Sequence, residues 1–590
     1  MAAIISEKFR IFNAKQFLES LGEGANDADT ARTRMYFFVG RSSRWDAYIE
    51  IFNVSGTYQV GETVSGGGWS GVVAAVYPNS LLLNTILPTP TTTPAFGTTI
   101  TGGTSGATAK SGVYRYGTED VPPAPLDNES EKRAIYEELI AAKRITEPFA
   151  RLVVPRYNWN LTLNPQFDMY RPNYSATPGG GGAIGVQTAL GSTSLSSSKF
   201  YVMNSRYEVF KCLYNGEVAG TAGNATYEPT SQPTAGQGTF ANGIFTEPAG
   251  TAGYIWKHMY TLTTGDVLAF LSSDFMPIAA AGEQSRVDVE ALAVDGAINV
   301  AVIKDIGTGL PASATLYAPV FGDGTGAGTN TGAIVKIETT AGGALSSVSM
   351  EQAGAGYTYG NVIISTSNVY TDAALTANPS AFAGTAAIEA VISPKGGHGS
   401  HAEEELFAKR VMTNVRLTYD EGSGDFPVDN DFRRIGIIQD PYEYGTTNFA
   451  ADSTLRGTRV VKVTGASADY VADEVITQDQ NGVIAKGTVV SWDSANGILK
   501  YFQSPDVHTV SGKVNVLVSN AAYPVVGGTS TASGAVDTAE NGVVSDISFT
   551  GGLANPEIEP NSGEIVYIEN RRQITRAADQ IEDIKLVIEF

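Results

Sequence analysis

The stretch SGEIVYIENRRQITRAADQIEDIKLVIEF, residues 562–590, decides how the rest is read. From Ile584 the residues alternate. Ile584, Leu586, Ile588 and Phe590 fall on one face of a strand, with Lys585 and Glu589 on the other. Most chains close on a polar, frayed tail. This one closes on an apolar strand, which predicts a sheet with Phe590 in its core. Working outward, TRMYFFVGRSSRW (33–45), FARLVVPRYNW (149–159), SRYEVFKCLYN (205–215), GYIWKHMYTL (253–262) and FRRIGIIQDP (432–441) read as further strands. The predicted class is mainly β: a layered β-sandwich core with helix-bearing loops and several small inserted β modules.

Composition agrees. At 590 residues the chain exceeds one hydrophobic core. With 42% hydrophobic residues, 65 glycines and only 17% charged residues, it favours short strands and turns. No apolar run reaches the roughly 20 residues of a spanning helix, and MAAIISEKFRIFNAKQF lacks the basic-then-apolar order of a signal peptide. The expectation is a chain used without export. A net charge of −22 argues against a broad nucleic-acid or anionic-membrane surface.

Two helices are predicted. NAKQFLESLG (13–22) has Asn13 as a cap, Gln16 at capping-box spacing, and Gly22 as a stop. DNESEKRAIYEELIAAKRITEP (127–148) begins acidic, ends at Lys143 and Arg144, and aligns Ile135, Leu139 and Ala142; its helix is placed at about 127–147. Three stretches differ in texture: 58–117, 286–394 and 456–549. They read as β modules inserted into a core made of 1–57, 118–285, 395–455 and 550–590. The first and third share a Tyr followed by Glu four residues later (Tyr58/Glu62, Tyr470/Glu474). They share a Gly-Val-hydrophobic-Ala step (from Gly71 and from Gly482) and a GGTS (102–105, 527–530). The middle one echoes itself at 306–317 and 353–364.

The residues for chemistry are sparse. Cys212 is the one cysteine, so no internal disulfide forms, and its apolar neighbours mark a buried thiol. GDGTGAGTNTG (322–332) lacks the Lys-Ser/Thr of a phosphate loop and precedes a strand, so it reads as a turn. His398 and His401 beside Glu403, Glu404 and Glu405 form a metal candidate, with His398, His401 and Glu404 as ligands. SHAEEEL also reads as a helix cap, and no metal is assigned. Asp425, Asp429 and Asp431 miss the EF-hand spacing. No nucleophile motif is present, and nothing in these residues amounts to a catalytic site.

Taken in order, the core segments resemble the baseplate wedge subunit, gene product eight, of T-even-type contractile-tailed phages. The resemblance rests on YFFVGRSSRW (Gly40, Arg41, Trp45), VPRYNW (Pro155, Arg156, Trp159), VFKCLYN, GYIWKHMYTL (Trp256) and FRRIGIIQDP. Its longest part is the C-terminal stretch, with Glu569, Asn570, Arg571, Asp579, Gln580 and Phe590. It covers about half of the chain and leaves the three modules unmatched, as in the enlarged members found in phages of marine cyanobacteria. It implies a layered β-sandwich and a homodimer that bridges other wedge proteins in the virion tail and is assembled in the host cytoplasm. It implies no catalysis, cofactor, nucleic acid or membrane. Arg571, Arg572 and Arg576 are then candidate interface residues. A receptor-binding adhesin or tail fibre is the alternative, on the strength of the Gly/Thr-rich modules.

Overall fold

The computed structural model describes all residues except 1–4, 24–32, 43, 46, 78, 88–93, 116, 118–120, 160–164, 172–194, 217–222, 249, 418–431, 505–507, 511–512 and 575–581. The protein is mainly β, with 43% strand and 10% helix in many antiparallel sheets. Two compact units divide it. One takes Met1–Glu19, Glu147–Asn414 and Lys585–Phe590; the other takes Ser20–Thr146 and Val415–Ile584.

In the second unit the host sheet has five strands. Their order is Thr454–Arg456, Leu139–Ile145, Met35–Gly40, Phe432–Gln439, Glu564–Ile574. Met35–Gly40 is buried along its whole length, which is why MYFFVG is an uninterrupted apolar run. Its partner pairs Gly436 with Phe38, and a Cβ at Gly436 would sit 2.5 Å from the Phe38 ring. The glycine there makes room for an aromatic.

The helix predicted over 127–147 is only half a helix. Glu129–Glu137 is helical, capped by Asn128, whose side chain accepts the Glu131 N–H at 2.8 Å. Leu139–Ile145 is instead a strand between Met35–Gly40 and Thr454–Arg456. The helical spacing of Ile135, Leu139 and Ala142 is real, and all three enter the same core cluster with Tyr36 and Ile438. Two open strand edges outweighed a modest helix preference. The N-terminal helix spans Glu7–Glu23, longer than 13–22. Ser6, not Asn13, takes the capping role, its hydroxyl accepting the Phe9 N–H at 3.3 Å, and Gly22 lies within the last turn.

The first unit holds a five-stranded sheet (Tyr201–Met203, Glu208–Tyr214, Ile255–Thr261, Ile244–Thr246, Thr239–Ala241) and a four-stranded one (Phe275–Pro277, Ala150–Pro155, Arg410–Leu417, Glu582–Glu589). The C-terminal strand is therefore an edge strand. Leu586 is buried, but Ile584, Ile588 and Phe590 are half-buried, as are Lys585 and Val587. The clean alternation expected of a core strand is absent, because Lys585 turns its amine onto the Leu268 and Leu271 carbonyls (3.3 and 2.9 Å). Phe590 does not fill the core. It packs on Phe17 with ring centroids 5.4 Å apart, and its N–H is bonded to the Lys409 carbonyl at 3.1 Å.

This unit also holds the glycine-rich module. The pair Ile298–Thr308/Thr385–Ile392 and the four-strand sheet Leu345–Gln352, Ile334–Thr339, Thr315–Gly322, Gly360–Val362 share one apolar cluster. The segments read as an internal echo, 306–317 and 353–364, run into the strands Thr315–Gly322 and Gly360–Val362, which pair beyond the first segment, Val320 facing Val362.

The remaining two modules belong to the second unit, and each is a closed six-stranded barrel. The first runs Ala47–Ser55, Ser80–Leu87, Trp69–Tyr77, Thr63–Gly66, Thr99–Gly102, Thr108–Arg115 around the ring. The second follows the same order: Arg459–Thr464, Ile498–Phe502, Val483–Asp493, Val475–Gln480, Val525–Gly527, Ser533–Val536. The pairing of its first two closes it. The first barrel begins at Ala47 rather than 58: Ile49 and Ile51 point into its core. The second extends to Ala554. The sequence step from Gly71 does not correspond to Gly482. Val64 pairs with Gly71 and Ile476 with Gly487, so Gly487 is the counterpart.

Candidate functional site

Several of the resemblance residues meet at one node in the second unit. Gly40 ends its strand against the Glu138 carbonyl, which a Cβ would meet at 2.9 Å. Arg41 follows in a left-handed conformation, φ 56°. That turn lays its guanidinium 4.1 Å over the Trp45 ring while Nη1 pairs with Glu138 at 2.7 Å. Trp45 donates its indole N–H to the Arg571 carbonyl at 2.8 Å. Arg434 lies buried beneath, bonded to Glu131, to Glu138 at 3.4 Å and to the Asn570 side chain at 3.0 Å. Asn570 in turn donates to the Pro123 carbonyl at 2.9 Å. Two guanidiniums and two carboxylates form a neutral set whose members repay one another's desolvation. Removing one would leave a buried charge. Arg434, Glu131 and Glu138 were not singled out from sequence. The available signal was a pair of arginines, Arg433 and Arg434, inside an otherwise apolar strand.

Beside this node a groove of about 430 Å³ is lined by Pro122 and Glu569–Gln573. Arg571 pairs with Glu569 at 3.1 Å and Arg572 is exposed. Arg576, Asp579 and Gln580 lie outside the described residues, as do Asp425, Asp429 and Asp431.

The first unit gathers the other resemblance residues separately. Trp159 stacks on Phe167 (5.7 Å) and meets Trp256 edge-on (6.4 Å). Arg156 binds the Ser272 carbonyl at 2.7 Å, and the Pro155 carbonyl accepts the Tyr201 hydroxyl at 3.1 Å. These contacts hold strands in place.

The metal candidate does not assemble. His398 is buried edge-on to Tyr170 (5.0 Å), where burial and the nearby Lys211 and Lys257 hold its pKa well below the usual imidazole value. His401 is exposed. Glu404 is exposed and pairs with Lys15 at 3.5 Å, and Glu405 receives Lys211 and the Gly399 N–H (2.8 Å). Among the described residues no group of three His, Cys, Asp or Glu side chains is placed to hold a metal ion. Cys212 is buried, and burial pushes its thiol up. GDGTGAGTNTG forms the connection between the strands Thr315–Gly322 and Ile334–Thr339. Asp323 in it caps the Thr358 and Tyr359 N–H groups at 2.9 and 3.2 Å.

The barrels carry matched carboxylate locks. Glu62 Oε1 accepts the Gln59 N–H (2.7 Å) and the Ser105 hydroxyl (2.8 Å); Oε2 accepts the Thr104 and Ser105 N–H groups (3.0 and 2.9 Å). Glu474 repeats this with Val471 (2.8 Å), the Ser530 hydroxyl (2.7 Å), and the Thr529 and Ser530 N–H groups (2.9 and 2.8 Å). The serine Oγ also accepts an N–H two residues on, from Ala107 or Ala532, at 3.1 Å in each. Tyr58 and Tyr470 donate across the barrel to the Ile100 and Val525 carbonyls (3.0 and 2.7 Å). Burial alone would raise the Glu62 pKa, but the donors of Ser105, Gln59 and Thr104 outweigh it and bring it to about 2. Glu474 is lowered by the same balance. With its oxygens taken by fixed donors, each carboxylate is a structural clasp, not a proton carrier. The sequence showed the Tyr, Glu and GGTS landmarks but not that they touch.

No family model and no curated protein matches this chain. No helix among the described residues is long and apolar enough to cross a membrane.

Proposed function

We propose that the chain is a structural subunit of a contractile phage-tail baseplate wedge. It acts as a homodimer that bridges neighbouring wedge proteins and takes part in the rearrangement that triggers sheath contraction. It works in the virion tail baseplate after assembly in the host cytoplasm, and it needs neither cofactor nor catalysis. The observation that carries this reading is where the resembling segments lie. YFFVGRSSRW, FRRIGIIQDP and Glu564–Ile574 of the C-terminal stretch supply central and edge strands of the host sheet and the Trp45 node, although Trp45 and Arg571 are 526 residues apart in sequence. The unmatched stretches lie in modules with apolar clusters of their own, the first barrel taking in Ala47–Ser55 as well. The Arg571–Arg572 groove gives such a subunit an arginine-lined contact surface.

Sedimentation velocity over a concentration series tests it. One chain is 62.1 kDa. A stable species at twice that mass is expected, followed by binding to purified wedge proteins. A species at three times it, with binding to host envelope, would replace this reading with the adhesin one.

A further inference from the structure

Two lysines lie side by side in the interior of the first unit. Lys211 in Glu208–Tyr214 and Lys257 in Ile255–Thr261 are direct partners in the register of their sheet. Lys211 is fully buried and Lys257 is 3% exposed. Like charges directly opposite on neighbouring strands repel one another, and burial sharpens the repulsion. One carboxylate stands against the two amines. Glu405 accepts from Lys211, from the Gly399 N–H at 2.8 and 3.0 Å, and from the His401 N–H at 3.2 Å. Its oxygens are thereby occupied. Lys211 also lies 4.5 Å over the Tyr170 ring. The Lys257 amine has neither a hydrogen bond nor an ion pair among the described residues.

Two further features belong to the same spot. His398 is 5% exposed, and its Nδ1 has no hydrogen-bond partner. The charges of Lys211 and Lys257 both bear on its ring. Gly243 and Gly399 flank the Lys257 side chain. A Cβ at Gly243 would stand 3.0 Å from the amine nitrogen, and one at Gly399 would stand 3.1 Å from Cε. Neither residue puts a side chain over the amine. Burial and the charge of Lys211 bring the Lys257 pKa down to about 8, with Glu405 opposing them. Near pH 8 about half of this amine is neutral, whereas an exposed lysine is neutral in less than about one part in a hundred. A desolvated amine beside a second cation is the arrangement that makes lysine nucleophilic. Its burial bars a bulky acyl donor. It admits a reagent that is small, uncharged and apolar.

We propose that Lys257 is a carbamylation site that takes carbon dioxide. The Nζ lone pair forms the N–C bond, one carbon–oxygen π pair moves onto oxygen, and an Nζ proton leaves to Nδ1 of His398. The products are a carbamate anion at residue 257 and an imidazolium at residue 398. The net charge of the group is unchanged, so no ion has to cross the interior. The carbamate exchanges the repulsion between two amines for attraction to Lys211, and it gives His398 the partner it lacks. The inference does not depend on the wedge reading.

The test uses the full-length chain in isotopically labelled bicarbonate near pH 8. Carbamates are trapped by O-ethylation with triethyloxonium ion and located by peptide mass spectrometry. The trapped group is expected at Lys257, at about tenfold or more the level at any other lysine, Lys211 included. A carbamate resonance in the carbon spectrum should rise with dissolved carbon dioxide to saturation and be absent from Lys257→Met. His398→Phe, which keeps a ring on Tyr170, should lower the occupancy of Lys257 severalfold at the same pH. Trapping confined to the α-amino group, a carbamate on Lys211 in place of Lys257, or undiminished occupancy in His398→Phe would overturn the proposal. Mapping on the parent chain decides the site even where Lys257→Met does not fold.

Discussion

The first and second barrels close the same six-strand ring with unlike walls. What they share is confined to places where backbone geometry leaves no choice. The lock glutamate, the GGTS turn and the cross-barrel tyrosine recur with bond lengths within a few tenths of an ångström. Gly102 and Gly527 show why: a Cβ there would lie 2.4 or 2.2 Å from the serine hydroxyl and 2.7 Å from the glutamate. The interiors, by contrast, have been redistributed. The first barrel pairs Trp69 with Tyr114 edge-on (5.7 Å), and the second pairs Tyr470 with Trp492 (5.0 Å), with Ala485 where Trp69 would be. Core volume can move between positions as long as the total is kept, whereas a buried carboxylate with four donors cannot.

The comparison can be broken most severely by cutting in the wrong place. Deleting 58–117 would strand Ala47–Ser55 with Ile49 and Ile51 exposed, and soluble protein should be lost. Excising the whole barrel across the Tyr48–Arg115 rung should leave the remaining sheets folded. Soluble yield and far-UV circular dichroism distinguish the two, and equal behaviour would mean that the strand belongs to the host. Next in size are Glu62→Ala and Glu474→Ala. Each takes the acceptor from three part-buried N–H groups and a serine hydroxyl and should cost its own barrel about 2–3 kcal/mol. Hydrogen exchange resolved by peptide should show the loss in one barrel and not in the other. Loss in both would deny their independence.

A sharper test converts one barrel into the other. Residues 537–552 lay Ile547 and Phe549 on Val460 and Ile498, outside the second ring. Replacing 537–552 by Gly-Val, the pair at 112–113, should leave the second ring closed but expose Val460 and Ile498, at about 2–3 kcal/mol. Opening of the ring would show that this segment is part of the barrel rather than a cover. The smallest effect is that of acid. Glu62 has its pKa lowered from 4.5 to about 2. Its stabilising contribution is complete above pH 4.5 and falls away as pH drops toward 2. Tryptophan emission from Trp69 should follow that fall, and Glu62→Gln should flatten it.

The duplication was legible in sequence because its landmarks are short-range: Tyr and Glu four apart, and GGTS as a unit. The step at Gly71 was matched to the wrong glycine because the second barrel's hairpin is longer on both arms. Glu62 to Gly66 becomes Glu474 to Gln480, so identity slides by four residues across one turn. Ala47–Ser55 alternates clearly, yet nothing local says which sheet it joins. Leu139–Ile145 satisfies both a helical and a strand period, and only its neighbours decide. The Trp45 node could not be read from spacing at all, because its partners come from residues 41–45, 123–138, 434 and 570–571. The mainly-β class needed no such distant information. Glycine turns and alternating apolar residues carry it locally.

The rung between Tyr48 and Arg115 has a mechanical consequence. The first barrel enters and leaves its host at adjacent points, so it hangs on the chain as a bypass rather than a link. Tension carried through the host sheet is not passed through the barrel wall. If the two attachments are pulled apart, the antiparallel end strands unzip one rung at a time from Tyr48–Arg115 inward, at low force. The barrel can be loaded, swapped or lost while the load path beneath it stays the same.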